Sequence, residues 1–394
     1  MRFLPSSRRS ALVLTALGGL LLGAGCDDDP VSPEPWLMVS SSTTGAAFDP
    51  DGYVVLIDGT PAPRRLGLTD ALPVTGVAGA VELELTDVAE NCAADDVRRT
   101  VALTAGDVTE VAFQVHCSAP AELASVRLIF VRDGPNDERD LYEMRADGTG
   151  VLALTSDGVS LDPAVSRDGS FIAYVRRRSG PTQPWDTEIR VMGAAWQDLG
   201  AITDGEAYVA SPSWSPDGRR IVYQNGDGFW WGEIRVRDLA GGDPVVFPTP
   251  GVDGTPSWSP DGSRIAFGRW SDGGLGLYTM NPDGTDVTRL AFGAWNAVWS
   301  PSSDRIAVSV EGDAYLVSSE NGASPDPVLW AEEEEWEPTG WSPNGDWIVL
   351  DGRRVHQDGA VRQTDVFLLH AEDGTLLRVT TDGRSHSAVA AAVP

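Results

Sequence analysis

Four histidines, three cysteines and one acidic run are the residues of this chain whose types bear most directly on chemistry. A catalytic or structural metal needs three or four convergent ligands. His116 stands beside Cys117, and His356, His370 and His386 are scattered over the last part of the chain, so their spacing predicts polar surface residues and no metal site. The run DGPNDERD, residues 133–140, is rich in carboxylates but lacks the ligand spacing of an EF-hand loop and reads as a solvated loop. Acyl transfer on a nucleophile elbow would need Gly-x-Ser-x-Gly, which does not occur. No catalytic residue, metal or cofactor is therefore assigned, and the chain is read as non-enzymatic.

The cysteines suggest other chemistry. Arg2, Arg8 and Arg9 precede an apolar run, Ala11 to Leu22, that is too short to span a bilayer as a helix and has the layout of a cleaved export signal, residues 1–25. It ends in LLGAGC, which resembles the lipobox of bacterial lipoproteins, although Gly23 stands where that family usually has Leu. The resemblance implies that Cys26 is lipidated and becomes the N-terminus. Three cysteines are an awkward number for an exported protein unless one has another use. With Cys26 on lipid, Cys92 and Cys117 remain, either as a disulfide, the reading adopted here, or as two buried thiols.

Composition narrows the partners. The formal net charge is −29, all 29 basic residues being Arg, and loss of the signal with its three arginines takes it to −32. Such a surface repels nucleic acid and anionic lipid headgroups.

The elements that would position any site are β-strands. Residues 26–35, including DDDPVSPEP, form an extended tether between anchor and first domain. From 36 to 118, short alternating runs such as AVELELTDV and VTEVAFQVHC, separated by Gly, Pro and Asp turns, predict a small antiparallel β-sandwich. It resembles Ig-like or PEGA-type modules near the anchors of bacterial surface proteins. From 119 to 394 the string PSWSPDGRRIVY at Pro212 returns as PSWSPDGSRIAF at Pro256, with looser copies at Pro163, Ala297 and Thr339. Val165, Trp214, Trp258, Trp299 and Trp341 thus recur at intervals of 49, 44, 41 and 42 residues. Periods of that size with four strand-like segments each describe propeller blades. The second strand occurs six times (LIFV, IAYV, IVYQ, IAFG, IAVS, WIVL) but the first only five times, so SHSAVAAAVP at the C-terminus is expected to pair with the N-terminal blade and close the ring.

These copies resemble the WD-like PxWSPDG repeats of the TolB-type six-bladed β-propeller, and the fold class is read as all-β, a six-bladed propeller preceded by a small β-sandwich. TolB binds other envelope proteins, but related propellers also serve peptidases and pectate-fragment lyases, so the repeat alone leaves function open. Two residue sets carry the functional expectation. Outside the repeat motif, Trp185, Trp230, Trp231, Trp270, Trp295 and Trp336 are expected in loops on one face, joined there by Glu332 to Glu335. They are either loop anchors or a binding face, and the latter is adopted. Asp162, Ser211, Thr255, Asn296 and Thr339, which precede the motif strands, are expected at the channel mouth. The resulting expectation is a membrane-tethered, non-catalytic scaffold of the cell envelope, at the periplasm or cell surface, that binds an envelope protein or glycan. The alternative is a propeller enzyme, a saccharide lyase or hydrolase, acting at that mouth.

Overall fold

The computed structural model describes residues 35–392 except 46–51, 68–70, 76, 78, 89–91, 181–184, 194–195, 204, 207, 229–230, 248–250, 272, 320–325, 330–333 and 356–360. The expected export signal, Cys26 and nearly all of the expected tether therefore lie outside the described residues, as do Trp230, His356, Glu332 and Glu333.

The N-terminal segment packs two four-stranded sheets around one core. One runs in the order Ala71–Val74, Trp36–Gly45, Val108–Cys117, Cys92–Ala94, the other Thr60–Pro61, Val54–Ile57, Gly79–Thr86, Arg98–Leu103. Alternation decides which side is buried: in Val108–Cys117 the residues Val111, Phe113, Val115 and Cys117 point inward while their neighbours face solvent. Pairing is not wholly antiparallel as expected, because Trp36–Gly45 runs parallel to Val108–Cys117 over ten residues. Two strands so far apart in sequence need no hairpin between them, so nothing constrains them to run in opposite directions. Cys92 and Cys117 face each other across adjacent strands and are joined as a disulfide.

From Val126 onward the described strands form six four-stranded antiparallel sheets, or blades. Five are sequential hairpin meanders whose innermost strands are Ser160–Val165, Tyr208–Trp214, Val252–Trp258, Ala294–Trp299 and Glu334–Trp341. The sixth sheet takes its innermost strand, Ser385–Ala392, from the far end of the chain and pairs it with Val126–Asp133. The second strands are buried on both faces because each is covered by two neighbouring blades, which is why they are continuous apolar runs. The core clusters accordingly straddle blades: Val222, Ile234 and Phe247 pack with Trp258, Ile265 and Phe267 of the next sheet. Leu128 and Phe130 pack with Trp347, Val349 and Leu368 across the closure.

The repeated WSPDG string makes the tight turn between first and second strands. Ser215 is fully buried; its hydroxyl donates to Asp217 and accepts the Arg220 N–H at 2.9 Å. Ser166, Ser259 and Ser300 repeat both contacts, and Ser342 does so with Asn344. The turn requires a left-handed residue, supplied by Gly218 (φ 66°) and, in the copy that lacks glycine, by Ser303 (φ 63°).

Candidate functional site

The six innermost strands surround an axial cavity of about 1150 Å³. Each carries a bulge just before its motif strand, and a bulge re-aims the extra residue out of the ladder. At this point Asp162, Ser211, Thr255, Asn296 and Ser387 adopt positive φ between 46° and 59° and line the cavity. Such a conformation is mildly tolerated by Asp and Asn and is costlier for Ser and Thr, so its repetition in five blades marks a ring that the fold holds under strain. Thr339 is the sixth position and also lines the cavity, but its strand bulges by a single residue and stays outside the left-handed region. All five residues expected at the channel mouth thus reach the cavity wall, together with Ser387.

One arc of that wall is acidic. Glu337 and Asp351 are cross-strand partners in the last full blade, one step outward from the bulge, and His386 occupies the level of Glu337 in the adjoining blade. The Asn296 side chain donates to Glu337 Oε1 at 2.6 Å, and Arg353 pairs with the same carboxylate. Asp351 is 1% exposed; its Oδ2 accepts the Ser387 N–H at 2.8 Å, and its Oδ1 has no hydrogen-bond partner among the described residues. Burial pushes the Asp162 and Asp351 carboxyls above their ordinary values. Glu337 is pushed up to about 7, because burial and the neighbouring Asp351 outweigh the attraction of Arg353. His386 reaches Asp133 Oδ1 with Nε2 at 3.1 Å and Ser387 Oγ with Nδ1 at 3.0 Å; it belongs to the cavity wall, whereas the sequence suggested a polar surface residue. No three described His, Cys, Asp or Glu side chains converge as a metal site would require.

Sequence reasoning found Asp162 in this arc but missed Glu337, Asp351, Arg353 and His386. The one available signal was a charged residue two positions before Thr339, in WEPTGW, where the other copies have small or apolar residues or Trp.

The six tryptophans separate. Trp270, 58% exposed, and Trp295 lie on strands, not in loops, and line the cavity. Trp185 is 49% exposed with its ring 5.9 Å from Tyr208, itself part of the wall. Trp336 does not belong to an exposed face: it is 2% exposed and packs edge-on against Phe367 at 5.0 Å. Its cross-strand partner is Gly352, and a Cβ there would lie 2.8 Å from the indole, so the missing side chain admits the ring to the core. Trp230 and the side chain of Trp231 lie outside the described residues. The motif residues Trp214, Trp299 and Trp341 are buried, and each donates its indole N–H to a carbonyl of the preceding blade's innermost strand at 3.0–3.1 Å. Trp258 instead receives Arg220 over its ring at 4.7 Å.

Comparison with known proteins agrees with this architecture. A search of curated proteins finds no match. Among solved structures the chain is similar to TolB from Acinetobacter baumannii, with TM-score 0.58 and 17% identity over 80% of each chain. It is also similar to putative TolB from Agrobacterium tumefaciens, with TM-score 0.50 and 18% identity over 68% of this chain and 99% of that one. A chain of a nidogen–laminin complex matches with TM-score 0.52 and 11% identity over 68% of this chain and 99% of its own. At these identities the likenesses speak to fold alone. The sequence model of the PD40 family, the TolB beta propeller domain, matches residues 187–390, more than half of the sequence. Six closed blades, the WSPDG turns and this match together place the chain in the TolB β-propeller family.

Proposed function

We propose that the propeller is a non-catalytic binding scaffold of the cell envelope, tethered to a membrane through lipid on Cys26, and that it receives a segment of an envelope protein or glycan at the axial cavity. The observation that carries the reading is the roomy axial cavity itself, bounded by a strained polar ring and opening beside Trp270, with Trp185 tilted against Tyr208 of its wall. Exposed indoles beside a concave polar site are typical of recognition surfaces, where a few aromatic residues carry most of the binding energy. Strong negative charge disfavours nucleic acid as the partner.

The test is a double variant, Trp185→Ala with Trp270→Ala. Both rings are exposed, so the melting temperature is expected to stay within a few degrees. Recovery of the partner from native envelope, or of a bound glycan from an array, is expected to fall at least about thirtyfold, corresponding to about 2 kcal/mol. Undiminished binding by the folded variant refutes the reading.

A second reading, hydrolysis or lyase chemistry at the same place, is favoured by Glu337, since a carboxyl held near 7 suits general acid–base work. It predicts turnover of a saccharide that is lost in Glu337→Gln while saccharide binding persists.

A further inference from the structure

We propose that Arg167, at the end of the axial cavity ringed by the WSPDG turns, binds a carboxylate carried by the occupant of the cavity. This deepens the binding reading above and rests on it. The first observation is where the arginine stands. In four of the five motif copies the residue after the motif serine is proline, Pro216, Pro260, Pro301 or Pro343, and in the remaining copy it is Arg167. The prolines lean on the next blade: a Cβ on Gly262 would lie 3.2 Å from Pro216, and one on Gly345 3.6 Å from Pro301. Arg167 instead reaches past the neighbouring blade and donates from Nη1 to the carbonyl oxygen of Pro260, two blades on. It is exposed and lines the cavity, and four of its five N–H groups have no partner among the described residues.

The second observation is that this cation has no carboxylate partner. The chain holds 58 acidic residues against 29 arginines, so an ion pair is the ordinary state of an arginine here. The other arginines of the cavity wall conform: Arg139 pairs with Asp133 at 3.0 Å, Arg177 with Asp137 at 3.0 Å, and Arg353 with Glu337. Arg167 has no such partner among the described residues. Even Asp168, its neighbour in the chain, is turned to the Ser166 hydroxyl at 2.7 Å and the Ser170 N–H at 3.0 Å. An uncommitted guanidinium open to a cavity fits an anion brought by a ligand.

The surroundings select among anions. Proline has no N–H, so the residues that hold this position in the other copies offer an anion no backbone donor, and the planar fork of Arg167 matches a carboxylate at two points. A chain of net charge −29 repels a dianion such as phosphate more strongly than it repels a monoanion. The cavity is also polarised along its length. Asp162 stands near one end and Arg167 five residues later at the other, a span of roughly 16 Å in extended chain. An extended peptide of about five residues covers that span when it enters beside Trp270 with its C-terminus leading. The carboxylate belongs either to such a C-terminus or to a small organic acid, and the chemistry of recognition is the same.

Calorimetric titration of the full chain with matched probes decides the matter. Pentanoate is paired with pentanamide, the peptide acetyl-Ala-Gly-Val-Ala with its C-terminal amide, and inorganic phosphate serves as a bare anion. At least one carboxylate is expected to bind at least about tenfold more tightly than its neutral amide and than phosphate. Tighter binding of the peptide acid assigns a polypeptide C-terminus; binding of pentanoate with equal or greater affinity assigns a small acid. Arg167→Gln keeps a donor for the Pro260 carbonyl, and Arg167→Pro installs the residue that the other copies accept. Arg167 is exposed, so both variants are expected to fold as wild type while losing the preference for carboxylate over amide. A smaller preference in the wild type, phosphate binding as tightly as the carboxylates, no binding of either carboxylate, or an undiminished preference in a folded variant overturns the proposal. If the Trp185/Trp270 variant loses its envelope partner while carboxylates fail to bind, the scaffold reading survives and this inference falls. If carboxylates bind through Arg167 but the tryptophan variant keeps its partner, the outcome is reversed.

Discussion

At the scale of single residues, position along a strand matters less than what stands opposite. Trp336 and Trp270 both lie near the outer ends of blade strands, yet Trp336 faces Gly352 and sinks into the core, while Trp270 faces Val252 and stays exposed. Glu337 gives a sharper case. Its carboxyl keeps its proton up to about pH 7 in the folded state but ionises near 4.5 when unfolded. Between those values the folded chain holds a proton that the unfolded chain has released, so this group makes stability fall as pH rises, and its effect is constant above about 7. Glu337→Gln removes that slope. Relative to the variant, the wild type is expected to lose on the order of 3 kcal/mol between pH 4.5 and 7, read from urea unfolding at a series of pH values. A wild-type-minus-variant difference that does not change with pH contradicts the environment described for Glu337.

At the scale of the element, the blade is legible in the sequence wherever its geometry is local. Ser, Asp and Gly of WSPDG satisfy one another within six residues, so each copy announces its own turn, and Asp162, Ser211, Thr255 and Asn296 could be named because each stands four residues before the motif serine, whereas Thr339 stands three before Ser342. Ser215→Ala leaves the partly buried Arg220 N–H without its acceptor and is expected to cost about 1 kcal/mol or more, seen as a lower midpoint in thermal or urea unfolding. An unchanged midpoint refutes the role given to the motif serines. What could not be read are pairings made by the closed ring: His386 meets Asp133 across 253 residues, and Asp351 meets Ser387 from a neighbouring blade. The acidic arc consists of such contacts, which is why Asp162 was found through its bulge and Asp351, lacking any repeat signature, was not. The parallel pairing of Trp36–Gly45 with Val108–Cys117 escaped for the same reason.

At the scale of the whole molecule, two features set stability and location. Pairing of Ser385–Ala392 covers the inner edge of Val126–Asp133, so deleting residues 385–394 is expected to bare that strand, broaden the unfolding transition and promote aggregation. A truncated protein that unfolds as sharply as the parent contradicts this. The proposed anchor predicts that Cys26→Ser moves the protein from membrane to soluble envelope fractions; membrane retention at wild-type level refutes it. The ring closure also bears on the order of events during biosynthesis. The blade begun by Val126–Asp133 is the first of the six to be synthesised, yet its innermost strand is made only after all the others. Until then Val126–Asp133 presents an unpaired edge, and the acidic arc, which draws on both ends of the ring, does not exist. Completion of the proposed binding site is thereby made the final, long-range step of folding, slow by its topology, and binding at that site would report whether a newly made molecule has finished.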